Sequence, residues 1–156
     1  MNAIASLVVF FVLTFAAAAA GSRFRPDSWY GGLRKPPFNP PNSVFAPVWT
    51  ILYVLMAIAA WRVWRVAGFT PAIVLWVVQL VLNTAWSWLF FGRHRADIAL
   101  LDIVMLLVFI VATTAEFFHF DRWAGILMVP YLLWVAFATA LNFSLWKLNR
   151  ERPGLS

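Results

Sequence analysis

The apolar residues of this 156-residue chain fall into five long runs separated by short polar segments. Each run is close to the roughly 20 residues that an α-helix needs to cross a hydrocarbon core of about 30 Å. Strands of a membrane β-barrel would instead appear as segments of about ten residues with alternating polarity, a pattern that the sequence lacks. The pattern therefore predicts five membrane-spanning helices, over residues 3–21, 44–65, 71–91, 97–118 and 123–147.

The composition supports a membrane protein, because 63% of the residues are hydrophobic and only 12% are charged. Soluble domains have about 45–50% apolar and about 25% charged residues. We therefore predict an all-α integral membrane protein with a single domain over residues 1–156. A signal peptide is the alternative for the first run, but no Lys or Arg precedes it, so we expect a retained helix.

The cationic residues are divided unequally between the two sides of the predicted bundle. Nine fall on one side and three on the other: Arg23, Arg25, Arg34, Lys35, Arg93, Arg95, Lys147, Arg150 and Arg152, against Arg62, Arg65 and Arg122. Because Lys and Arg concentrate in cytoplasmic loops, we expect the first loop and the C-terminus to be cytoplasmic and the N-terminus outside. The net charge of +6 then sets the topology and allows contact with anionic lipid headgroups. It does not indicate nucleic-acid binding.

Few residues offer acid–base or metal chemistry. The chain has no cysteine, and His94 and His119 fall at helix ends, where they cannot serve as axial haem ligands inside the bundle. Asp97, Asp102 and Glu116 lie toward the ends of the fourth run, where they can reach headgroups or pair with arginines. A proton path is the alternative interpretation for these carboxylates. The sequence predicts no metal site and no required cofactor.

Aromatic and amide side chains are instead concentrated inside the predicted helices. Asn83 and Trp86 are three residues apart and share a helix face, and Gln79 lies one turn before Asn83. A second stripe runs along the fifth helix through Trp134, Ala138 and Leu141. Amides in hydrocarbon need partners, either on another helix or in a ligand. Their coincidence with deep tryptophans favours a lined cavity.

The first loop, residues 22–43, is rich in proline and aromatic residues. Asp27 or Ser28 can cap a short helical turn that carries Trp29, Tyr30 and Leu33. The prolines lower the entropy that the loop loses on ordering, so we expect a stiff segment. One interpretation is a lid over the mouth of the bundle, and the other is an anchor among the lipid headgroups.

Four stretches together resemble the translocator protein family, whose bacterial members are called tryptophan-rich sensory proteins: "WYGGLRKPPFNPP", "PVWTILYVLMAIAAW", "LNTAWSWLFF" and "WAGILMVPYLLWVAFATALN". The resemblance covers nearly the whole chain. It implies a five-helix bundle, commonly a homodimer, whose first loop caps a pocket that opens toward the cytoplasm.

The resemblance also implies the ligands and the residues that contact them. The expected ligands are protoporphyrin IX, haem or another tetrapyrrole, sterols or hopanoid-like lipids, and synthetic isoquinolines or benzodiazepines. The porphyrin propionates would meet Arg34, Lys35 or the amides of the first loop. Two positions depart from the family pattern, since Phe38 replaces a loop tryptophan and Phe143 replaces the tyrosine of the sterol motif. The lining residues implied are Tyr30, Trp49, Asn83, Trp86, Trp134, Ala138 and Leu141.

Three functions are compatible with these features. A receptor or sensor for tetrapyrroles accounts for the pocket and the lid, and we rank it first. A light- and oxygen-dependent enzyme that degrades porphyrin ranks second, and Trp49 and Trp134 would then be its catalytic residues. A porphyrin or sterol transporter ranks third, because five helices cannot divide into two equal repeats.

Overall fold

The computed structural model describes residues 2–150, which are almost entirely helical. The elements are α1 (Ala3–Gly21), α2 (Ser28–Gly31), α3 (Asn42–Ala67), α4 (Pro71–Ser87), α5 (Ala96–Phe120) and α6 (Arg122–Asn149). A π-helical turn, Trp88–Gly92, extends α4. With this turn included, five helices are long and apolar enough to cross a membrane, as predicted. Arg152, which contributed to the predicted charge bias, lies outside the described residues.

Local side chains explain where several helices begin and end. The Asn2 side chain caps α1 by accepting the Ala5 N–H at 2.7 Å. Gly68, with φ of 68°, ends α3 in a conformation that residues other than glycine rarely adopt. Asp121 alone separates α5 from α6, and its carboxylate accepts the Ala124 N–H at 3.1 Å. The predicted spans lie within two residues of the observed helix ends.

The end of the third span differs from the prediction of a regular α-helix. Its last turn widens into a π-helix, in which the Arg93 N–H donates to the carbonyl oxygen of Trp88 at 2.8 Å. Such turns often occur at functional sites, and they rotate the side chains that follow them. In this turn Phe90 is buried, whereas Trp88 faces outward.

The five long helices form a closed ring. α1 packs on α3, α3 on α6, α6 on α5, α5 on α4, and α4 on α1. Pro47 and Pro130 lie within α3 and α6, and both helices continue through them. The larger cluster of buried side chains includes Trp76, which is fully buried and donates its indole N–H to the Met56 carbonyl oxygen at 3.2 Å.

The first loop, the α4–α5 connection and the end of α6 meet at one end of the ring. The Asn149 amide donates to the Arg34 carbonyl oxygen at 2.7 Å and accepts the Arg34 N–H at 2.8 Å. His94 Nε2 lies 3.0 Å from Asp27 Oδ2. At the opposite end, Arg62 Nε lies 2.6 Å from Asp121 Oδ2. The three segments with the larger cationic load therefore share one end of the bundle.

A candidate ligand-binding cavity

A cavity of about 380 Å³ lies between α1, α3, α4 and α6, at the end of the ring that carries the first loop. It is partly open, and its size lies within the usual range for small-molecule sites. The seven residues that the sequence analysis selected all line it: Tyr30, Trp49, Asn83, Trp86, Trp134, Ala138 and Leu141.

Aromatic rings form most of the cavity wall. The Trp49 and Trp134 ring centroids are 6.4 Å apart at 89°, so one indole presents its edge to the face of the other. On the opposite wall Trp86 stacks on Phe90 at 5.1 Å. Because several ring faces border one space, a flat aromatic ligand can stack on more than one of them.

A chain of hydrogen bonds leads from the cavity wall into the core. The Tyr53 hydroxyl donates to Asn83 Oδ1 at 3.0 Å, and Asn83 Nδ2 donates to the Tyr131 hydroxyl at 2.7 Å. Tyr131 in turn donates to Gln79 Oε1 at 2.6 Å. Gln79 is fully buried and does not line the cavity. Gln79 therefore joins helices, whereas Asn83 joins helices and also lines the cavity, where a ligand could reach it.

A second amide fixes the opposite wall. Trp86 Nε1 donates to Asn142 Oδ1 at 2.8 Å, and Asn142 Nδ2 donates to the Ala96 carbonyl oxygen at 3.0 Å. These bonds connect α4, α6 and the start of α5, and they hold the Trp86 ring in one orientation. In contrast, the Trp134 indole N–H is buried and has no hydrogen-bond partner within residues 2–150.

The short helix α2 brings Tyr30 to the cavity. Asp27 caps it as predicted, because its Oδ1 accepts the Tyr30 N–H at 3.1 Å. Leu33, which was expected in the same turn, follows the helix instead. Tyr30 is only 2% exposed, and its hydroxyl donates to Asn39 Oδ1 at 3.2 Å. Burial raises the pKa of Tyr30 above 10.0, although this hydrogen bond counteracts part of the effect.

Asp27 also connects the loop to the α4–α5 turn. The Trp29 ring, which does not line the cavity, stacks on the His94 ring at 4.5 Å. Burial is the largest single influence on the pKa of Asp27 and raises it. The hydrogen bonds from the Tyr30 N–H and from His94, together with the charge of His94, outweigh burial, so the pKa lies below 3.8.

The cations at the cavity differ from those that the sequence indicated. Neither Arg34 nor Lys35 lines the cavity. The Lys35 ammonium donates instead to the carbonyl oxygens of Tyr30, Gly31 and Leu33, at 2.8, 3.3 and 3.2 Å. Because the loop folds back on itself, its lysine binds carbonyl oxygens of the same loop. The spacing of residues in the sequence does not reveal these contacts. Among the described residues, the charged side chain that does line the cavity is Arg25.

Sequence reasoning missed several other members of the wall. Tyr53 lies one helical turn after Trp49 and so shares its helix face, and this spacing is the signal that could have identified it. Phe90 and Phe91 reach the cavity through the π-turn, and Phe137 through its position beside Ala138. Phe38 and Phe143, the two residues that depart from the family pattern, do not line the cavity. Phe38 packs on Phe137, and Phe143 is 46% exposed.

The carboxylates of the fourth span do not reach the cavity. Arg95 and Asp97 form an ion pair at 2.8 Å, as one interpretation expected, and Glu116 is exposed. Asp102 Oδ2 is buried without a hydrogen-bond partner in the described part of the chain. Among residues 2–150, no three histidine, aspartate or glutamate side chains are close enough to hold a metal ion.

Comparisons with known proteins agree with this architecture. Residues 6–147 match the model of the TspO/MBR family. The chain is 43% identical over 149 residues to the tryptophan-rich sensory protein of Cereibacter sphaeroides, covering 96% of this chain and 94% of that protein. It is 44% identical over 144 residues to the tryptophan-rich protein TspO of Chlorobaculum tepidum, covering 88% and 91%. It is also 39% identical over 142 residues to the human translocator protein, covering 86% and 84%.

Proposed function

The chain belongs to the TspO/MBR family, and we propose that it is a membrane receptor that binds tetrapyrroles in the cavity beneath its first loop. Family membership and the five spans support a membrane sensor, receptor or transporter of the TspO kind. The observation that carries the finer proposal is the aromatic wall, in which Trp49, Trp86 and Trp134 all border one cavity.

The wall suits a large flat ligand. Each aromatic pair contributes about 0.5–1.5 kcal/mol beyond the burial of area, so stacking on two or three indoles gives a substantial part of a micromolar affinity. The deep polar groups of the wall, Asn83 and Tyr53, already bond to each other. They therefore do not demand a strongly polar ligand, and an apolar macrocycle can lie against them without leaving them unpaired.

The first loop supports a lid. Its helix α2 places the nearly buried Tyr30 on the cavity wall, and Asn149 binds the backbone of Arg34 from the end of α6. We propose that the end of the bundle that carries this lid is cytoplasmic, because the cationic first loop, the α4–α5 turn and the end of α6 meet there. A cysteine introduced at exposed Gly31 and labelled from either side of an oriented vesicle tests this orientation.

The experiment that tests the receptor is a titration of protoporphyrin IX into purified protein in the dark, followed by tryptophan quenching. We expect saturable quenching that weakens about tenfold in Trp134→Phe and Asn83→Ala, because both changes remove part of the wall. Trp123→Phe is the matched control, since Trp123 is 59% exposed and does not line the cavity. Quenching that does not saturate, or that all three variants weaken equally, would refute the proposal.

The pairing of Trp49 with Trp134 favours one second candidate, the degradation of porphyrin by light and oxygen. Two indoles whose ring centroids are 6.4 Å apart can pass an electron between them. The indole N–H of Trp134 has no hydrogen-bond partner within residues 2–150. Illuminating the complex in air distinguishes the two functions. Loss of the porphyrin band with formation of a new absorbing product, abolished in Trp49→Phe although binding persists, would establish the enzyme. If the porphyrin is unchanged after illumination, the receptor remains the proposed function.

A further inference from the structure

We infer that Arg25 selects ligands that carry a carboxylate on a flat apolar body, and so sets the charge specificity of the cavity. This inference rests on the proposed function, because it assigns a specificity to the same site. It starts from one observation. Among residues 2–150, Arg25 is the charged side chain that lines the cavity, and no aspartate or glutamate lines it.

Arg25 is available to a ligand. Within residues 2–150 it makes no ion pair, and its side chain is exposed. The carboxylate nearest to it in sequence is Asp27, which is engaged with His94 at 3.0 Å and with the Tyr30 N–H. Arg25 therefore has no internal counter-ion in the described part of the chain that a ligand must displace.

The other cations of the same loop cannot replace it. The Lys35 ammonium bonds to three carbonyl oxygens of its own loop, and neither Lys35 nor Arg34 borders the cavity. Arg23 is exposed and lies two residues before Arg25, but it does not line the cavity either. Within the part of the chain that the structure describes, a single positive charge thus adjoins a wall that is otherwise mostly aromatic and aliphatic.

The geometry assigns different tasks to the two parts of a ligand. The indoles accept the flat body by stacking and burial. The guanidinium presents several N–H donors in a planar fork that matches a carboxylate and holds it with two hydrogen bonds. The polar side chain of Asn42, at the start of α3, lines the cavity as well and can solvate the same carboxylate.

The test compares protoporphyrin IX with its dimethyl ester, which keeps the macrocycle and removes both charges. Dissociation constants are measured in nanodiscs of phosphatidylcholine for the unmodified protein, Arg25→Gln, Arg25→Lys and Arg23→Gln. We expect the unmodified protein to prefer the acid. Because Arg25 is exposed and its pairing with a carboxylate is screened by water, Arg25→Gln should weaken acid binding by about two- to fivefold and leave ester binding unchanged. Arg25→Lys should restore part of the preference, and Arg23→Gln should alter neither affinity.

The outcomes separate this inference from the proposed function. Equal binding of acid and ester by the unmodified protein, or an equal loss in Arg25→Gln and Arg23→Gln, would refute the role of Arg25 and leave tetrapyrrole binding intact. Failure of both porphyrins to bind would refute the proposed function itself. Repeating the titration with phosphatidylglycerol in the nanodisc distinguishes the source of the anion. If that lipid abolishes the preference for the acid, Arg25 binds a lipid phosphate, and the inference is wrong.

Discussion

Removing one hydroxyl group from the centre of the bundle should destabilise it more than removing one from the cavity wall. Tyr131→Phe keeps the ring and deletes a group that accepts from Asn83 Nδ2 at 2.7 Å and donates to Gln79 Oε1 at 2.6 Å. Tyr131 and Gln79 are fully buried, and Asn83 is 4% exposed. The variant therefore leaves a donor and an acceptor without their partners.

The size of the effect follows from which of these groups water can reach. Asn83 lines the cavity, so a water molecule there can replace its lost partner, whereas Gln79 does not line it. An unsatisfied buried polar group costs about 1–3 kcal/mol. Hydrogen bonds between membrane helices average about 0.6 kcal/mol and reach about 1.7 kcal/mol, because the unfolded chain in the membrane also finds partners. We expect a loss of about 2 kcal/mol for Tyr131→Phe.

Tyr53→Phe is the matched control. It also removes one tyrosine hydroxyl, but it breaks a single bond, to Asn83 Oδ1 at 3.0 Å, beside the cavity. Its expected cost is below about 1 kcal/mol. Thermal unfolding of both variants in one detergent and at one scan rate measures the difference. For a chain of this length, each kcal/mol shifts the midpoint by about 2–4 °C.

A rescue variant tests the reasoning behind these values. Gln79→Leu combined with Tyr131→Phe removes the stranded acceptor together with its donor, and it should recover at least half of the lost stability. If Tyr131→Phe costs no more than Tyr53→Phe, the chain of hydrogen bonds does not stabilise the bundle as argued. If the double variant is less stable than Tyr131→Phe alone, the loss comes from packing rather than from the unpaired carbonyl oxygen.

Two further predictions concern the end of the bundle away from the cavity. Gly125→Ala should lower the thermal midpoint by several degrees, because an added Cβ would clash with the Phe118 ring. Gly31→Ala should leave the midpoint unchanged, because nothing lies within 4 Å of a Cβ added there. The hydrogen bond from Arg62 is the largest influence on the pKa of Asp121 and holds it below 3.8. The stabilisation of the folded state by this ion pair is therefore complete above about pH 4 and is lost as the pH falls through the lowered pKa. Asp121→Asn keeps a capping oxygen, so it should lower the free energy of unfolding by up to about 1 kcal/mol at pH 7 and not at a pH below the lowered pKa of Asp121. Unfolding measured at both pH values tests this expectation. Equal losses at the two pH values would contradict the ion pair.

The helices were predictable because the bilayer imposes a simple rule. A chain that must satisfy its backbone inside hydrocarbon forms helices of about 20 residues, so run lengths alone place the spans within two residues of their ends. The π-turn after Ser87 was not predictable, because a widened turn depends on how Phe90 and Phe91 pack and not on their hydropathy.

The cavity wall was predictable where side-chain type and helical spacing coincide. Trp134, Ala138 and Leu141 lie on one stripe of α6 and all border the cavity. The roles of the loop cations were not predictable in the same way. Lys35 and Arg25 are equivalent in charge, and only the fold of the loop directs Lys35 to its own carbonyl oxygens and leaves Arg25 beside the cavity.

The cavity can stay open without a ligand because its deep polar groups have partners on the protein. The Asn83 amide is bonded to two tyrosines, and Asn142 holds the Trp86 indole. A ligand therefore gains little from hydrogen bonds at the deep end, and its affinity has to come from stacking, from burial and from the charge at Arg25. Shape and a single charge discriminate less sharply than a set of directed hydrogen bonds does. On this reasoning we expect the proposed receptor to accept many flat apolar acids, so that the identity of its ligand depends on which of them the membrane supplies.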